Sequence, residues 1–345
     1  MQKRIAEYGI LVGEMEKGAR NKISDVPGVR VGHCTIATKR NQTGVTVILP
    51  SDGNPFTHKL PAAAYVLNGY GKSLGLVQVE ELGSLETPLF LTNTLNVGLV
   101  HDAAVGYMIE RCAQEGVELL SVNPVVCECN DAYLNDIQNR VVHAEHVLRA
   151  IAAAQLDFEE GDAGAGKGMS CHQLKGGIGS ASRVFRLDDC PYTLGCLVLS
   201  NHGTLPDLTI AGKNIGRQIQ FATQTPSAPD KGSIIMIFAT DAPLTSRQLK
   251  RVIKRGTVGL ARLGSFIGQS SGDIMLGFST AYSVSSQSDI LPIQMVNENK
   301  LDLLFRAAAE CVEEAVLNSM VCAQSTTGYR GHRRESLSRY LSMNG

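Results

Sequence analysis

The sequence predicts a mixed α/β (α+β) protein. Short runs rich in β-branched and apolar residues alternate with longer stretches whose apolar residues recur at three- and four-residue intervals, and neither an internal repeat nor a low-complexity linker separates them. With 345 residues, 43% hydrophobic and 19% charged, the chain can bury a large core. No stretch is long and apolar enough to span a bilayer.

Strands are expected at residues 29–35, 45–49, 194–200, 233–240 and 274–280, where β-branched and apolar residues cluster. Helices are expected at 96–116, 139–155, 245–263 and 298–322, the third opened by Pro243 and a capping box of Thr245 with Gln248. The polar segment 218–231 is the best candidate break, ahead of a C-terminal strand, helix, strand, helix. That C-terminal piece cannot cover its own strands on both faces, so one domain spanning 1–345 is favoured over two.

Charge and cysteine usage exclude several classes. Lys+Arg 32 against Asp+Glu 33 leaves a net charge of -1, without the basic excess that binding a phosphate backbone requires, so no nucleic-acid or membrane partner is expected. The basic stretches 247–255 and 330–334 read as solvated surface. Nine cysteines is an odd number, and the N-terminus lacks the apolar core and small-residue site of a secretory signal; the expectation is reduced, mostly buried thiols in the cytoplasm. Cys127 with Cys129 and Cys190 with Cys196 complete no four-ligand set, and His143 with His146 make no HExxH site, so no metal or cofactor is expected.

The chemistry-bearing candidates sit where strands begin or end. Gly232-Ser233 stands at the mouth of the apolar run 234–239, read either as a turn or as a point where the chain cuts itself. Cutting would make Ser233 a new N-terminus, whose α-amino group, with an ordinary pKa of about 7.7 to 8.0, can accept the hydroxyl proton near neutral pH. Asn201, after the run 197–200, is either a turn former or an amide donor to charge developing on a carbonyl oxygen. Ser271-Gly272-Asp273 places a hydroxyl and a carboxylate at a third strand end, for proton relay and for pairing with an ammonium, or as plain turn chemistry. Residues 127–136 cluster three carboxylates with Tyr133. The glycine-rich stretch 161–168 falls one residue short of a phosphate-binding loop, because Gly168 stands where a Ser or Thr would hold Mg²⁺; with Gly176 to Gly179 it reads as a cleft wall or a plain connection.

Taken together, these segments resemble the self-processing serine aminopeptidases that include L-aminopeptidase/D-amino-acid esterases and β-peptidyl aminopeptidases. The resemblance runs through residues 23–33, 43–47, 91–94, 175–179, 232–235, 239–244, 271–274 and 278–280 in the same order. It implies a four-layer αββα sandwich, shared with the related ornithine acetyltransferases, built as one domain from two fragments, 1–232 and 233–345. It implies Ser233 as nucleophile after cleavage of Gly232-Ser233, Asn201 as oxyanion donor, Tyr133 as a second hydroxyl near the reacting carbonyl, Ser271 and Asp273 as the activating pair, and Glu128 as ligand of the substrate amine. The segment 127–132, Cys-Glu-Cys-Asn-Asp-Ala, departs from a family pattern nearer Gly-Glu-Thr-x-Asp-Gly. The expected activity is release of N-terminal residues from short peptides, amides or esters by a homotetramer of cleaved protomers. The alternatives are an acyltransferase of the ornithine-acetyltransferase type, against which Ser rather than Thr at position 233 argues, and an uncleaved, non-enzymatic binding homologue.

Overall fold

Side chains on successive residues of one strand enter different cores, and this alternation sets the layering. In the computed structural model, which describes residues 3–226, 229–230, 232–285 and 289–341, strand Ser233–Thr240 sends Ile234, Met236 and Phe238 into one buried cluster and Ile235, Ile237 and Ala239 into another. Buried on both faces, it reads as the continuous apolar run seen in the sequence. Lys231 and part of the polar segment before it lie outside the described residues.

Two sheets meet at the second cluster. The first has four strands, β1 (Arg30–Ala37), β2 (Gln42–Leu49), β4 (Leu89–Asn93) and β5 (Val125–Cys129), in that spatial order. Five long strands make the other: β3 (His58–Gly69), β9 (Gly272–Ser279), β8 (Ser233–Thr240), β7 (Cys190–Asn201) and β6 (Gly177–Leu187), with Val284–Ser285 and Ser84–Leu85 added on β3. Pairing is antiparallel except β4 with β5 and β8 with β9, which run parallel. Helices cover both outer faces. Val100 and Ala104 of α2 (Val97–Gln114) and Val147 of α3 (Ala144–Ala152) pack on Val45, Val47, Phe90 and Val126 of the first sheet. On the other side α5 (Ser246–Ile253), α6 (Gly256–Arg262) and α7 (Leu301–Val321) pack on the second. The result is the αββα sandwich.

Most expected elements fall in place, with three physical corrections. The single helix expected over 245–263 is two, and Gly256, which opens the second, lies so close to β8 that a Cβ there would sit 3.0 Å from the Phe238 ring. The break suggested at 218–231 begins inside a helix, α4 (Ile215–Thr223), N-capped by Asn214. Strand β6 was legible only as glycine-rich sequence. It is a strand because it lies against α7: a Cβ at Gly179 would fall 1.9 Å from the Ala315 carbonyl oxygen, so only glycine permits the approach.

Between β6 and α7 lies a fully buried cation. The Arg183 guanidinium is 2.8 Å from carboxylate oxygens of both Glu310 and Glu314, and Lys17 Nζ is 2.8 Å from the other Glu314 oxygen. Burial alone would raise the Glu314 carboxyl, but Arg183 and Lys17 outweigh it and hold it below the usual range.

Candidate active site

Sheet register brings three distant segments to one edge. Ser233, first residue of β8, lies directly opposite Asn201, last of β7, and beside Gly272, first of β9. The three sequence motifs therefore meet in adjacent strands.

Ser233 is almost fully buried, and its Oγ accepts a hydrogen bond from the Gly272 N–H at 3.1 Å. That bond fixes the oxygen while leaving its proton to be removed. Gly232 is glycine for a steric reason: a Cβ there would lie 1.9 Å from the Asn201 carbonyl oxygen and 2.5 Å from His202 Cα. The Gly232 N–H, 3.1 Å from Asp230 Oδ1, is held by the same oxygen that accepts the Gly203 N–H. The peptide ahead of Ser233 is thus pinned against the end of β7.

Asn201 is oriented at both ends of its amide. Its Oδ1 accepts the Ser170 N–H at 2.8 Å, and its Nδ2 donates to the Asn130 carbonyl at 3.0 Å. An NH₂ group has two hydrogens, so one is left for another acceptor. Ser271 Oγ donates to Asp273 Oδ1 at 2.7 Å, while Asp273 Oδ2 is buried with no hydrogen-bond partner among the described residues. Burial pushes the Asp273 carboxyl up to about 6, the Ser271 hydroxyl and the Ile234 N–H pulling back against it and Asp230 adding to it. A half-satisfied buried carboxylate beside the Ser233-Ile234 peptide suits an incoming ammonium.

The facing sheet supplies the other acid. Glu128, near the end of β5, accepts the Lys72 N–H at 3.1 Å on one oxygen and the Thr94 hydroxyl on the other. Cys129 ties this strand to β7 through Sγ to the Leu199 carbonyl at 3.5 Å, and Asn130 reaches Asn201 as above. Cys127 and Cys129 are buried thiols, as expected, burial pushing Cys127 up to about 12. Tyr133 stands on the rim, 40% exposed, its ring stacked on His332 with centroids 4.5 Å apart and with the Arg334 guanidinium 3.6 Å above it. It reaches the strand ends indirectly, since Arg334 Nε donates to Ser170 Oγ at 3.2 Å.

Several contributors were not singled out from the sequence. Ser170, Asp230 and Arg334 act through partners far along the chain, and the 330–334 stretch, read as solvated, turns Arg334 inward while Arg330 and Arg333 stay exposed. Asp131, part of the polar cluster, is fully buried, and desolvation raises it to about 7 despite hydrogen bonds from Thr43 and Asn135. The glycine-rich stretch is no phosphate cradle. Its Gly164 and Ala165 N–H groups are engaged by the Thr35 and Thr46 hydroxyls at 2.7 and 3.1 Å, and Lys167 pairs with Asp162 at 2.6 Å. Buried Lys175, which burial lowers to about 7, donates to the Gly166, Met169 and Gly176 carbonyls and closes the loop.

The sequence profile of Peptidase family S58 matches residues 21–334. The chain is 38% identical to the beta-peptidyl aminopeptidase BapA of Sphingosinicella microcystinivorans, covering 93% of this chain and 86% of that one. Among solved structures it is similar to the PH0078 protein from Pyrococcus horikoshii OT3, with TM-score 0.93, 46% identity and coverage of 99% and 98% of the two chains. It is also similar to the L-aminopeptidase D-Ala-esterase/amidase from Ochrobactrum anthropi, described as a variant of the Ntn hydrolase fold, with TM-score 0.91, 34% identity and 99% of each chain covered.

Proposed function

The chain belongs to peptidase family S58 and is a serine-type peptidase, and from that premise we propose that it activates itself by cutting Gly232-Ser233 and then works as an N-terminal-serine aminopeptidase. The observation that carries this reading is the direct pairing of Ser233 with Asn201 behind a glycine that no larger residue can replace.

In the uncut chain the Ser233 nitrogen belongs to a peptide bond and cannot act as a base. In the first stage Ser233 Oγ attacks the Gly232 carbonyl carbon; the C–O bond forms, the C–N bond breaks, and the hydroxyl proton passes to the departing nitrogen. Water then opens the ester, leaving a Gly232 carboxylate and a free Ser233 amine and hydroxyl. One domain is thereby held as fragments 1–232 and 233–345, since β8 and β9 remain buried between β7 and β3.

In the second stage Ser233 attacks the first carbonyl of a short substrate with a free N-terminus, its own amine or Ser271 taking the proton. Asn201 donates its remaining Nδ2 hydrogen to the oxyanion, and water releases the acyl group. Asp273 and Glu128 bind the substrate ammonium, and Tyr133 offers a hydroxyl from the rim. Family membership favours hydrolysis over the acyltransferase and uncleaved-binding alternatives. The working form is proposed as a cytoplasmic homotetramer of cleaved protomers, on the family resemblance and on its cysteines being thiols rather than disulfides.

A panel of β-dipeptides, α-dipeptides, aminoacyl amides and D-amino-acid esters, assayed with wild type and Ser233→Ala, tests the proposal. Turnover of at least one member by wild type and not by the variant is expected; equal turnover by both would remove Ser233 as nucleophile.

A further inference from the structure

Next to the strand ends, but outside the acyl-transfer site, Cys171, His172 and His202 bring one potential ligand atom each within 4.8 Å of one another, and all three side chains are buried. Cys171 and His172 follow Ser170; His202 follows Asn201. The two segments are tied by the His172 N–H, which donates to the His202 carbonyl at 2.7 Å. Thirty residues separate them in sequence, so no ligand spacing reveals the cluster.

Its geometry leaves buried ring nitrogens without hydrogen-bond partners among the described residues. Cys171 Sγ lies 3.9 Å from His202 Nδ1. The edge of a tetrahedral zinc site with about 2.3 Å to sulfur and about 2.0 Å to nitrogen is shorter by a few tenths of an ångström, at about 3.5 Å. His172 Nδ1 lies 2.9 Å from the Thr204 carbonyl and so carries the proton, which leaves the lone pair on Nε2. An imidazole held by a carbonyl at one nitrogen and open at the other is the usual arrangement of a metal ligand. The His172 Nε2 and the His202 Nε2 are both buried without a hydrogen-bond partner among the described residues. Imidazoles serving only to fill the core would ordinarily have found partners. Asp230 faces the same cluster electrostatically, and its Oδ2 is likewise buried and partnerless.

We propose that Cys171, His172 and His202 bind a single divalent transition ion of the zinc class, through the Cys171 thiolate, His172 Nε2 and a ring nitrogen of His202. Thiolate with imidazole selects such an ion over magnesium or calcium. Binding forms the sulfur–metal bond and releases the Sγ proton to solvent, with no change of oxidation state. A water completes four-coordination. The ion joins the residue after Ser170 to the residue after Asn201, whose mutual hydrogen bond orients the Asn201 amide. The inference stands on these side chains and is independent of the peptidase reading.

Cobalt(II) titration of the full chain, purified with chelator and then freed of it, is the test. Wild type is expected to take one cobalt with thiolate-to-metal charge-transfer absorption and tetrahedral bands. Cys171→Ala should lose the charge-transfer band and bind zinc more than about a hundredfold more weakly, beyond the loss expected from removing a supporting partner. Cys190→Ser, at an exposed thiol, should keep both. Absence of the band in wild type, or its persistence in Cys171→Ala, would overturn the proposal. If Cys171→Ala fails to fold, zinc-edge X-ray absorption of wild type decides: one sulfur and two imidazole nitrogens support the site, and a shell without sulfur refutes it.

Discussion

Glu314 and Asp273 are both buried carboxylates of the same half of the sandwich, and they are treated in opposite ways. Glu314, on α7, meets Arg183 and Lys17 and is held below its usual range. Asp273, at the mouth of β9, has one hydroxyl partner, one bare oxygen and a carboxyl raised to about 6. A buried charge matched inside the chain belongs to the packing of the fold; one left half-matched at a strand end is open to a partner that arrives later. In the account above, that partner is an ammonium, from the liberated Ser233 or from substrate.

The sharpest way to break the contrast is at the nucleophile. Ser233→Ala should leave the fold intact, abolish chain cleavage and lower peptidase kcat/KM by at least about ten-thousandfold, measured on gel and in a dipeptide assay. At the matched end the loss should be one of stability. Arg183→Met leaves Glu310 buried without its cation and Glu314 with Lys17 alone, and should destabilise the protein by about 3–5 kcal/mol in urea unfolding, while kcat/KM of the folded fraction is retained. Asn201→Asp keeps the acceptor for the Ser170 N–H but replaces the amide hydrogens with an oxygen facing the Asn130 carbonyl; kcat should fall by about 10²–10³-fold and Tm should fall with it.

The smallest effect sharpens the comparison most. Because the folded-state pKa of Asp273 is raised from 3.8 to about 6, the folded chain binds the proton more tightly than the unfolded one. The stability it contributes is complete below about 4 and is lost as pH rises through about 6. In the uncut Ser233→Ala background, Asp273→Asn should therefore flatten the stability profile between those values and be more stable than its parent at pH 7. Glu314→Gln, whose parent carboxyl is depressed, should be less stable than its parent at the same pH. Equal signs for the two substitutions, read from thermal unfolding across pH, would erase the distinction.

How much of this was legible follows from distance along the chain. Ser233, Asn201 and Asp273 stand beside continuous apolar runs, and a run buried on both faces announces itself without any partner being known. Ser170 and Asp230 carry no such signal: Ser170 matters because it lies against Asn201, 31 residues away, and Asp230 because its oxygen collects two glycine N–H groups from different segments. Strand β3 escaped notice because Ala62, Ala63, Ala64 and Pro61 are poor strand formers that burial alone commits to the sheet. For the glycine-rich stretch, Gly168 already argued against a phosphate loop, but the loop geometry itself, set by threonine hydroxyls and Lys175 from other segments, carried no local signal.

The central claim is that Ser233 acts only once it has become an N-terminus. Intact mass measurement with N-terminal sequencing of the active protein tests it directly: fragments 1–232 and 233–345 are expected, the second beginning Ser-Ile-Ile-Met. A single uncut chain that hydrolyses dipeptides at the full rate would contradict it.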